Sequence, residues 1–550
     1  MRLSEADRWN PRLRSEEASV SLRQPPPASA RLRPPPSASA SLRQPPPASA
    51  SHLRRWLPFA LTLCSAFAAL ADDSASSKAV KVIILHTNDL HGRAYPQKAL
   101  WLDKVNPPDV GGLAALLATI RRERIKAWND NAHVVLVDAG DWFQGTPEGD
   151  LPRGRLVVEW MNLAGYDFAT IGNHEFDKGH GTIADLADVA HFPFLGANIR
   201  WKSGKRPSWC RGTRTFSMSG NKLMFVGLIT SQMHSLVMPE AIKGMRFDDE
   251  ITTLKKYLKD DGRIVVPVTH CGVDRDLEIA AATKVPMIIG GHSHSGLPNG
   301  KPAPDGTLVC QCFAGGTVLG RAELTLEGGK VVQKTASHVS VRPADGEDAE
   351  AKALIARYAK EIDATMNVEI GEAPEALMRS GRGSSPLGNW VCDVMRQKAG
   401  AHVALTNRTG IRADLPAGKI RVREMYEISP FSNTLTTMDL TGAEVDAILE
   451  YSTAANATFL EVSGLEAEVD TKGAEGSRVT VTKVAGEPWD ATRTYKVVTN
   501  SFIAAGGDGH GVFKNGKNRA ETGIDMLDAQ VEACKAGKVV APAGERIRLK

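Results

Sequence analysis

The sequence predicts a layered α/β protein of two domains, and three observations predict it. Its 550 residues are enough for two or three hydrophobic cores. Charged residues at 24% and hydrophobic ones at 42% match a soluble globular chain. From about Ala79 to Val341, short apolar strands alternate with helical stretches, the pattern of a layered α/β domain.

The first 52 residues stand apart. "SLRQPPPASA", "RLRPPPSASA" and "SLRQPPPASA" form a ten-residue repeat of Pro, Ala and Ser, with too little apolar surface to offset ordering entropy. Composition predicts disorder there, or a true start of translation further along. Residues 53–71 have the three-part layout of a secretory signal peptide: Arg54-Arg55, an apolar run from Trp56 to Leu70, and a small-x-small site at Ala69-Leu70-Ala71. The run falls short of the ~20 residues a spanning helix needs. Leu63 stands where a lipoprotein signal before Cys64 wants a small residue. The expectation is cleavage after Ala71, a periplasmic or secreted location, and no stable membrane insertion.

The net charge of +4 comes from this leader. Residues 1–71 hold ten Arg and four acidic residues, or +6, leaving 57 basic and 59 acidic residues, or −2, for the rest. Nothing in the body predicts a nucleic-acid surface. Beyond Cys64 there are six cysteines: Cys210, Cys271, Cys310, Cys312, Cys392 and Cys534. An exported chain permits disulfides among them, but the spacing reveals no pairing, and the absence of CxxC argues against a structural zinc cluster.

In the first domain, Leu113, Leu116, Leu117, Ile120 and Trp128 recur near a 3.6 spacing and predict a helix. Five strands matter more. "KVIILHTNDLHG" runs into Asp89 and His91, and "HVVLVDAGD" into Asp138 and Asp141. "DFATIGNHEFD" delivers Asn173, His174 and Asp177, "RIVVPVTHCG" delivers His270, and "VPMIIGGHSH" delivers His292 and His294. In layered α/β folds the carboxyl ends of strands form one rim, where ligands bind. A single Asp or Asn after a strand is ordinarily a turn former or helix cap. Here, however, five of the chain's 14 His fall at strand ends, and that coincidence predicts a site. Carboxylate, imidazole and amide without thiolate suit Zn²⁺, Mn²⁺ or Fe. There are more donors than one ion needs, so two metals sharing a carboxylate are expected.

D-x-H in "NDLHG", G-D in "DAGD", "GNHEFD", a lone His and G-H-x-H in "GGHSH" together resemble the motif set of the calcineurin-like metallophosphoesterases. "LHTNDLHG" and the downstream half resemble one branch, the secreted 5′-nucleotidases and UDP-sugar hydrolases, over about residues 80–515. The resemblance implies a four-layer β-sandwich flanked by helices over 79–341 and a separate C-terminal α/β substrate-binding domain over 369–550. It implies two divalent ions (Zn, Mn or Co): Asp89, His91, Asp141 and His294 at one, and Asp141, Asn173, His270 and His292 at the other. His174, oriented by Asp177, is the implied catalytic dyad, with Asp138 and Glu175 as supporting groups.

Residues 346–368 read as a solvated linker helix. The polar features of the second domain are spread out, and "ISPFSNT" and "TNSFIAAGGDGHG" place Phe431 and Phe502 in turn-rich loops. The resemblance implies that these two rings sandwich a base, that Asn433 contacts it and that Asp508 holds the ribose. Asn407 joins them, and Arg412 and Arg382 meet the anionic parts, with Arg379 as the alternative to Arg382. The family's Asn-x-Gly-Gly-Ile-Arg stretch is replaced here by "NRTGIR", which puts substrate scope in question. The implied activity is hydrolysis of nucleoside 5′-monophosphates, with nucleotide sugars as further substrates, by attack of a metal-activated water. The alternatives are a 2′,3′-cyclic-nucleotide phosphodiesterase, a thiosulfate-releasing hydrolase and a non-catalytic nucleotide binder. The Phe pair argues against the thiosulfate-releasing hydrolase, and the intact dyad against the non-catalytic binder.

Overall fold

Strand Val80–Thr87 shows why the first half folds as it does. Ile83 and Leu85 pack among helices on one side, while Val82 and Ile84 pack into a second core on the other. Burial on both faces explains an unbroken apolar run instead of an alternating one. The structure is a computed structural model, and it describes residues 79–103, 105–379, 383–454 and 459–550. The repeat, the signal segment and Arg382 lie outside the described residues.

Val80–Thr87 sits in a seven-stranded sheet ordered Lys330–Ser340, Val318–Glu327, Val80–Thr87, His133–Asp138, Phe168–Thr170, Phe194–Leu195, Cys210–Arg211. From Val80–Thr87 onward its strands run parallel, and the hairpin at the other edge is antiparallel. A six-stranded sheet is ordered Lys301–Pro302, Leu308–Cys310, Met287–Ile289, Arg263–His270, Asn221–Ile229, Thr213–Met218, with its four middle strands parallel. Phe225, Val266 and Ile289 of this sheet meet Val82, Val135 and Phe168 of the first in one core. Helices Leu113–Asn129 and Arg155–Ala164 cover the outer face of the first sheet, and Glu250–Lys255 and Val273–Thr283 that of the second. The order is helix, sheet, sheet, helix, the expected four-layer sandwich.

Two sequence expectations need correcting. Trp128, counted among the apolar positions of its helix, is 82% exposed. It sits in the last turn, where Ala127 takes the inward place. The linker helix, Ala349–Met366, is not solvated all round. Asp348 caps it by accepting from the N–H groups of Glu350 and Ala351, and Ala351, Ile355, Ala359, Ile362 and Met366 form a buried stripe. Its small and apolar residues recur at helical spacing between charges, so the polar composition hid an amphipathic element.

In the second half, a five-stranded sheet is ordered Leu460–Ser463, Val403–Asn407, Thr494–Asn500, Thr434–Thr441, Lys517–Asp525. It shares a core with a four-stranded sheet: Leu405, Val462 and Val497 meet Val469, Val481 and Ile547. The described cysteines, Cys210, Cys271, Cys310, Cys312, Cys392 and Cys534, are all free and buried.

Candidate active site

Strand register brings the ligand-bearing ends level. Thr87 lies opposite Asp138, and Asp138 opposite Ala169, so the segments that follow leave the first sheet at one height. In the second sheet Val268 pairs with Ile289, which levels His270 with the turn carrying His292 and His294. Backbone bonds then cross-tie the loops. Asp89 N–H donates to Gly140 O at 2.8 Å, His91 N–H to Asp141 O at 3.0 Å, and Gly272 N–H to Gly291 O at 3.1 Å.

Two groups of donors result. Asp89, His91 and His294 converge in one, and Asp141, His270 and His292 in the other, each with ligand atoms within 4.8 Å of one another. The backbone conformation is unusual at just these places. Asp89, His91, Asp141, His292 and His294 have φ of 51°, 49°, 61°, 80° and 52°, the left-handed region that side chains other than glycine rarely adopt. Such residues cost on the order of 1–3 kcal/mol each and persist where the surroundings fix them.

Hydrogen bonding shows which atoms are left for a cation. The Nδ1 of His270 lies 2.8 Å from Ala139 O, and that of His91 lies 2.8 Å from Gln144 O. Donating these N–H groups to carbonyls turns the Nε2 lone pairs inward, the usual outer-shell arrangement of metal-binding histidines. His270 Nε2 then faces Asp141 Oδ2 at 3.0 Å, and His91 Nε2 faces His294 Nε2 at 3.0 Å. Asn173 Oδ1 is buried with no hydrogen-bond donor. Acceptors facing acceptors, plus an orphaned buried amide oxygen, fit divalent cations on this donor set.

Charge follows the same geometry. Burial opposes ionisation of Asp89 and Asp141, but neighbouring histidines, His294 and His270 first, hold both carboxyls below the usual range. Burial lowers His292 to about 4, with His270 adding to the effect. His174 is the contrary case: burial lowers it, but Asp177 and Asp141 more than reverse this and raise it. Its Nδ1 lies 2.7 Å from Asp177 Oδ2, its backbone N–H donates to Asp141 Oδ1 at 2.9 Å, and its Nε2 is 3.9 Å from Asp141 Oδ2.

Glu175 and Asp138 support from beneath. The Glu175 carboxylate accepts from the backbone N–H groups of Asp141 (2.9 Å), Trp142 (2.8 Å) and Gly172 (2.7 Å), so one side chain clamps two ligand loops. Burial, and then Asp141, push it up to about 8. Asp138 accepts from Thr87 Oγ1 at 2.6 Å and from Gly140 N–H at 2.7 Å.

The second half brings Arg412 and Phe431 to this rim. Arg412 Nη2 is 2.9 Å from His91 Nε2, and its guanidinium lies 5.8 Å from the Phe431 ring centre. Phe431 itself stacks on His174, with centroids 5.4 Å apart and an interplanar angle of 26°. The sequence assigns that ring only to a base. Phe502 packs at the edge of the C-terminal core. Asn433 Oδ1 accepts from Ser501 Oγ at 3.0 Å, which joins the two Phe-bearing loops. Asp508 Oδ2 accepts from Asn407 Nδ2 at 2.9 Å and Thr409 Oγ1 at 3.1 Å. Arg408, the bulky departure in "NRTGIR", turns away to pair with the buried Glu461 at 2.7 Å. Sequence reading misses the ties between halves, Arg93 with Glu427 and Arg423 with Glu148 and Asp363. Lone charges on separate helices and loops give no local signal of their partners.

A buried rim of Asp, His and Asn at strand ends, with a His–Asp pair beside it, defines a metal-dependent hydrolase. The calcineurin-like phosphoesterase family matches residues 82–296, and the 5′-nucleotidase C-terminal domain matches residues 364–515. The crystal structure of a 5′-nucleotidase precursor from Thermus thermophilus is 32% identical, with a TM-score of 0.78, over 85% of this chain and 99% of that one. The 5′-nucleotidase of Bos taurus is 28% identical over 84% of this chain and 90% of its own length. The trifunctional nucleotide phosphoesterase YfkN of Bacillus subtilis is 28% identical over 84% of this chain, which spans only 34% of that longer protein. The chain belongs to the 5′-nucleotidase family of calcineurin-like metallophosphoesterases, metal-dependent phosphoric monoester hydrolases that use two divalent ions.

Proposed function

We propose that the chain is an exported 5′-nucleotidase releasing phosphate from nucleoside 5′-monophosphates. In this reading Asp89, His91, Asp141 and His294 hold one divalent ion, and Asp141, Asn173, His270 and His292 the other. The observation that carries it is the set of inward lone pairs, His270 Nε2 against Asp141 Oδ2 and His91 Nε2 against His294 Nε2, next to the His174–Asp177 pair. When bound, the two ions supply positive charge that draws a phosphate oxygen and acidifies water.

The side chains of the chain do the rest. Asp177 holds the His174 ring by Nδ1 and stabilises its charged form, leaving the Nε2 proton to meet charge that develops on the phosphoryl oxygens. Arg412 neutralises the phosphate from the other side of His91, and Arg382 or Arg379 assists it. Phe431 and Phe502 stack on the base, Asn433 contacts its edge, and Asp508, steadied by Asn407, takes the ribose hydroxyls. Because Phe431 covers His174 here, its ring turns aside as substrate enters. Export rests on the leader at 53–71, and among the described residues no helix is long and apolar enough to cross a membrane.

Phosphate release from AMP by the metal-replete protein tests this reading. Chelation is expected to abolish release, and Mn²⁺, Co²⁺ or Zn²⁺ to restore it. Activity indifferent to chelation would overturn the assignment.

A further inference from the structure

Two buried amides, Asn88 and Gln311, lie outside the proposed ligand set, yet both are bonded to the loops that carry it. Gln311 directly follows strand Leu308–Cys310. Its Oε1 accepts from Ser295 N–H at 2.7 Å and from Ser293 Oγ at 2.9 Å, while its Nε2 donates to Gly291 O at 2.8 Å. One side chain thus brackets the turn on both sides of His292 and His294. A backbone N–H at one end and a backbone carbonyl at the other leave this amide a single orientation.

Asn88 serves the loop opposite. Its Oδ1 accepts from Cys312 N–H at 2.8 Å, and its Nδ2 donates to Cys312 O at 3.0 Å, a two-point pairing that again fixes the amide. The same Nδ2 donates its second proton to Asp89 Oδ2 at 2.6 Å. The His292 N–H also approaches this oxygen, at 3.0 Å, more closely than it does Oδ1, at 3.3 Å. With Oδ2 held by two donors, Oδ1 is the oxygen that faces His294 Nε2 at 3.3 Å and His91 Nε2 at 3.9 Å. Gln311 and Cys312 are neighbours in the chain. Two ligand-bearing loops 203 positions apart are therefore keyed to one dipeptide.

We propose that Asn88 and Gln311 are positioning residues for the metal centre. Asn88 selects the Asp89 oxygen offered to the first ion. Gln311 sets the turn that serves the first ion through His294 and the second through His292. Donors held in place before a cation arrives need no ordering when it binds, so loosening them lowers affinity without removing a ligand. The proposal rests on the ligand assignment given above and extends it to two residues that touch neither ion.

The test is Co²⁺ binding to the metal-free protein, followed by equilibrium dialysis and visible absorption, beside the Tm of the metal-free form. Gln311→Met keeps the side-chain length and removes all three bonds. It is expected to weaken both ions by ~10–100-fold, the scale for groups that orient ligands, and to shift the absorption band as the imidazoles change angle. Asn88→Ser is expected to weaken the first ion by a similar factor and to spare the second. A His91→Ala background, in which only the second donor set is complete, separates the two: there Gln311→Met still weakens binding and Asn88→Ser does not. Should Gln311→Met fail to fold, Ser293→Ala decides, since it removes one of the three bonds at an exposed position. A smaller loss of Co²⁺ affinity in that variant supports the proposal, and unchanged affinity overturns it. A lower metal-free Tm with unchanged Co²⁺ affinity and spectrum would overturn it by making both amides purely structural. Loss of the second ion from Asn88→Ser in the His91→Ala background would overturn the role given to Asn88. A wild type that binds no Co²⁺ refutes the ligand assignment, and the proposal with it.

Discussion

The two sides of the site are built in opposite ways. On the catalytic side, every proposed ligand ends a strand or follows one within a few residues, five of the seven are buried, and five hold left-handed backbone. Their loops are tied by backbone bonds and by a single carboxylate, Glu175. On the recognition side, Phe431, Asn433, Phe502 and Asp508 are half-buried in loops and short helical turns (Phe502 in the helix Ser501–Ala504, not the loop its sequence predicts), and side-chain hydrogen bonds tie Asn433 to Ser501 and Asp508 to Asn407 and Thr409. Chemistry that must hold a phosphoryl group to a fraction of an ångström sits on strained, over-determined backbone. Recognition of a base face, which tolerates small shifts, sits on loops.

On that contrast, changes on the catalytic side act on kcat and metal, and changes on the other side act on substrate preference. The largest effect is expected at Asp141. Asp141→Ala should take phosphate release below detection and lower bound metal from about two ions per chain, read by elemental analysis. His174→Asn comes next, with kcat falling by ~10²–10⁴ while metal content and substrate affinity stay near wild type. Asp177→Asn should cost less, because the ring remains in place. Loss of metal from His174→Asn, but not from Asn173→Ala, would exchange the two roles.

Glu175→Gln probes the clamp itself. An amide cannot accept from three N–H groups and turns its own N–H₂ toward one of them. Metal affinity and kcat should therefore drop by ~10–100-fold, the scale of outer-shell losses. A normal metal affinity would mean that the ligand loops hold their shape without it. Phe431→Ala should lower kcat/KM for AMP by ~1–3 kcal/mol, and much less for a small phosphate ester without a base. Equal losses on the two would assign Phe431 to the dyad it covers, not to the base.

The smallest effect lies under the second sheet. Burial raises Asp276 to about 7 from an ordinary 3.8, against the pull of Thr269 and His270. Between those values the folded chain holds a proton that the unfolded chain has lost. Stability therefore falls as pH rises from about 4 to about 7 and levels off above that. Asp276→Asn should flatten this slope, seen as a gain of about 2–4 °C in Tm at pH 8 relative to pH 5. An unchanged slope would remove Asp276 as its source.

The catalytic side was legible in the sequence because each strand announces itself as an apolar run and its ligand follows within a few residues. The helix Leu113–Asn129 was legible for the same reason, except at Trp128, where periodicity says nothing of where a neighbouring layer ends. The recognition side was legible only through resemblance: nothing in "ISPFSNT" tells that Phe431 lies over His174, 257 positions earlier. The stripe in Ala349–Met366 was legible in principle but outvoted by charge count. Of the four arginines that line the cavity beside His91 and His294, resemblance points to Arg379 and Arg412, and nothing in the sequence points to Arg93 or Arg342, which come from separate segments.

One detail of the rim reaches beyond its chemistry. A side chain at Gly140, whose φ is 102°, would start 2.6 Å from His270 Nδ1, and one at Gly172 would start inside the Asp141 carboxylate and its backbone N–H. Neither glycine offers a ligand atom, yet each occupies a space that any larger residue would take from a ligand. A saturation library scored on activity would therefore draw the centre larger than its reagents. Its intolerant positions would include empty volumes as well as functional groups, and a variant designed to keep every donor would still fail if it filled one of them.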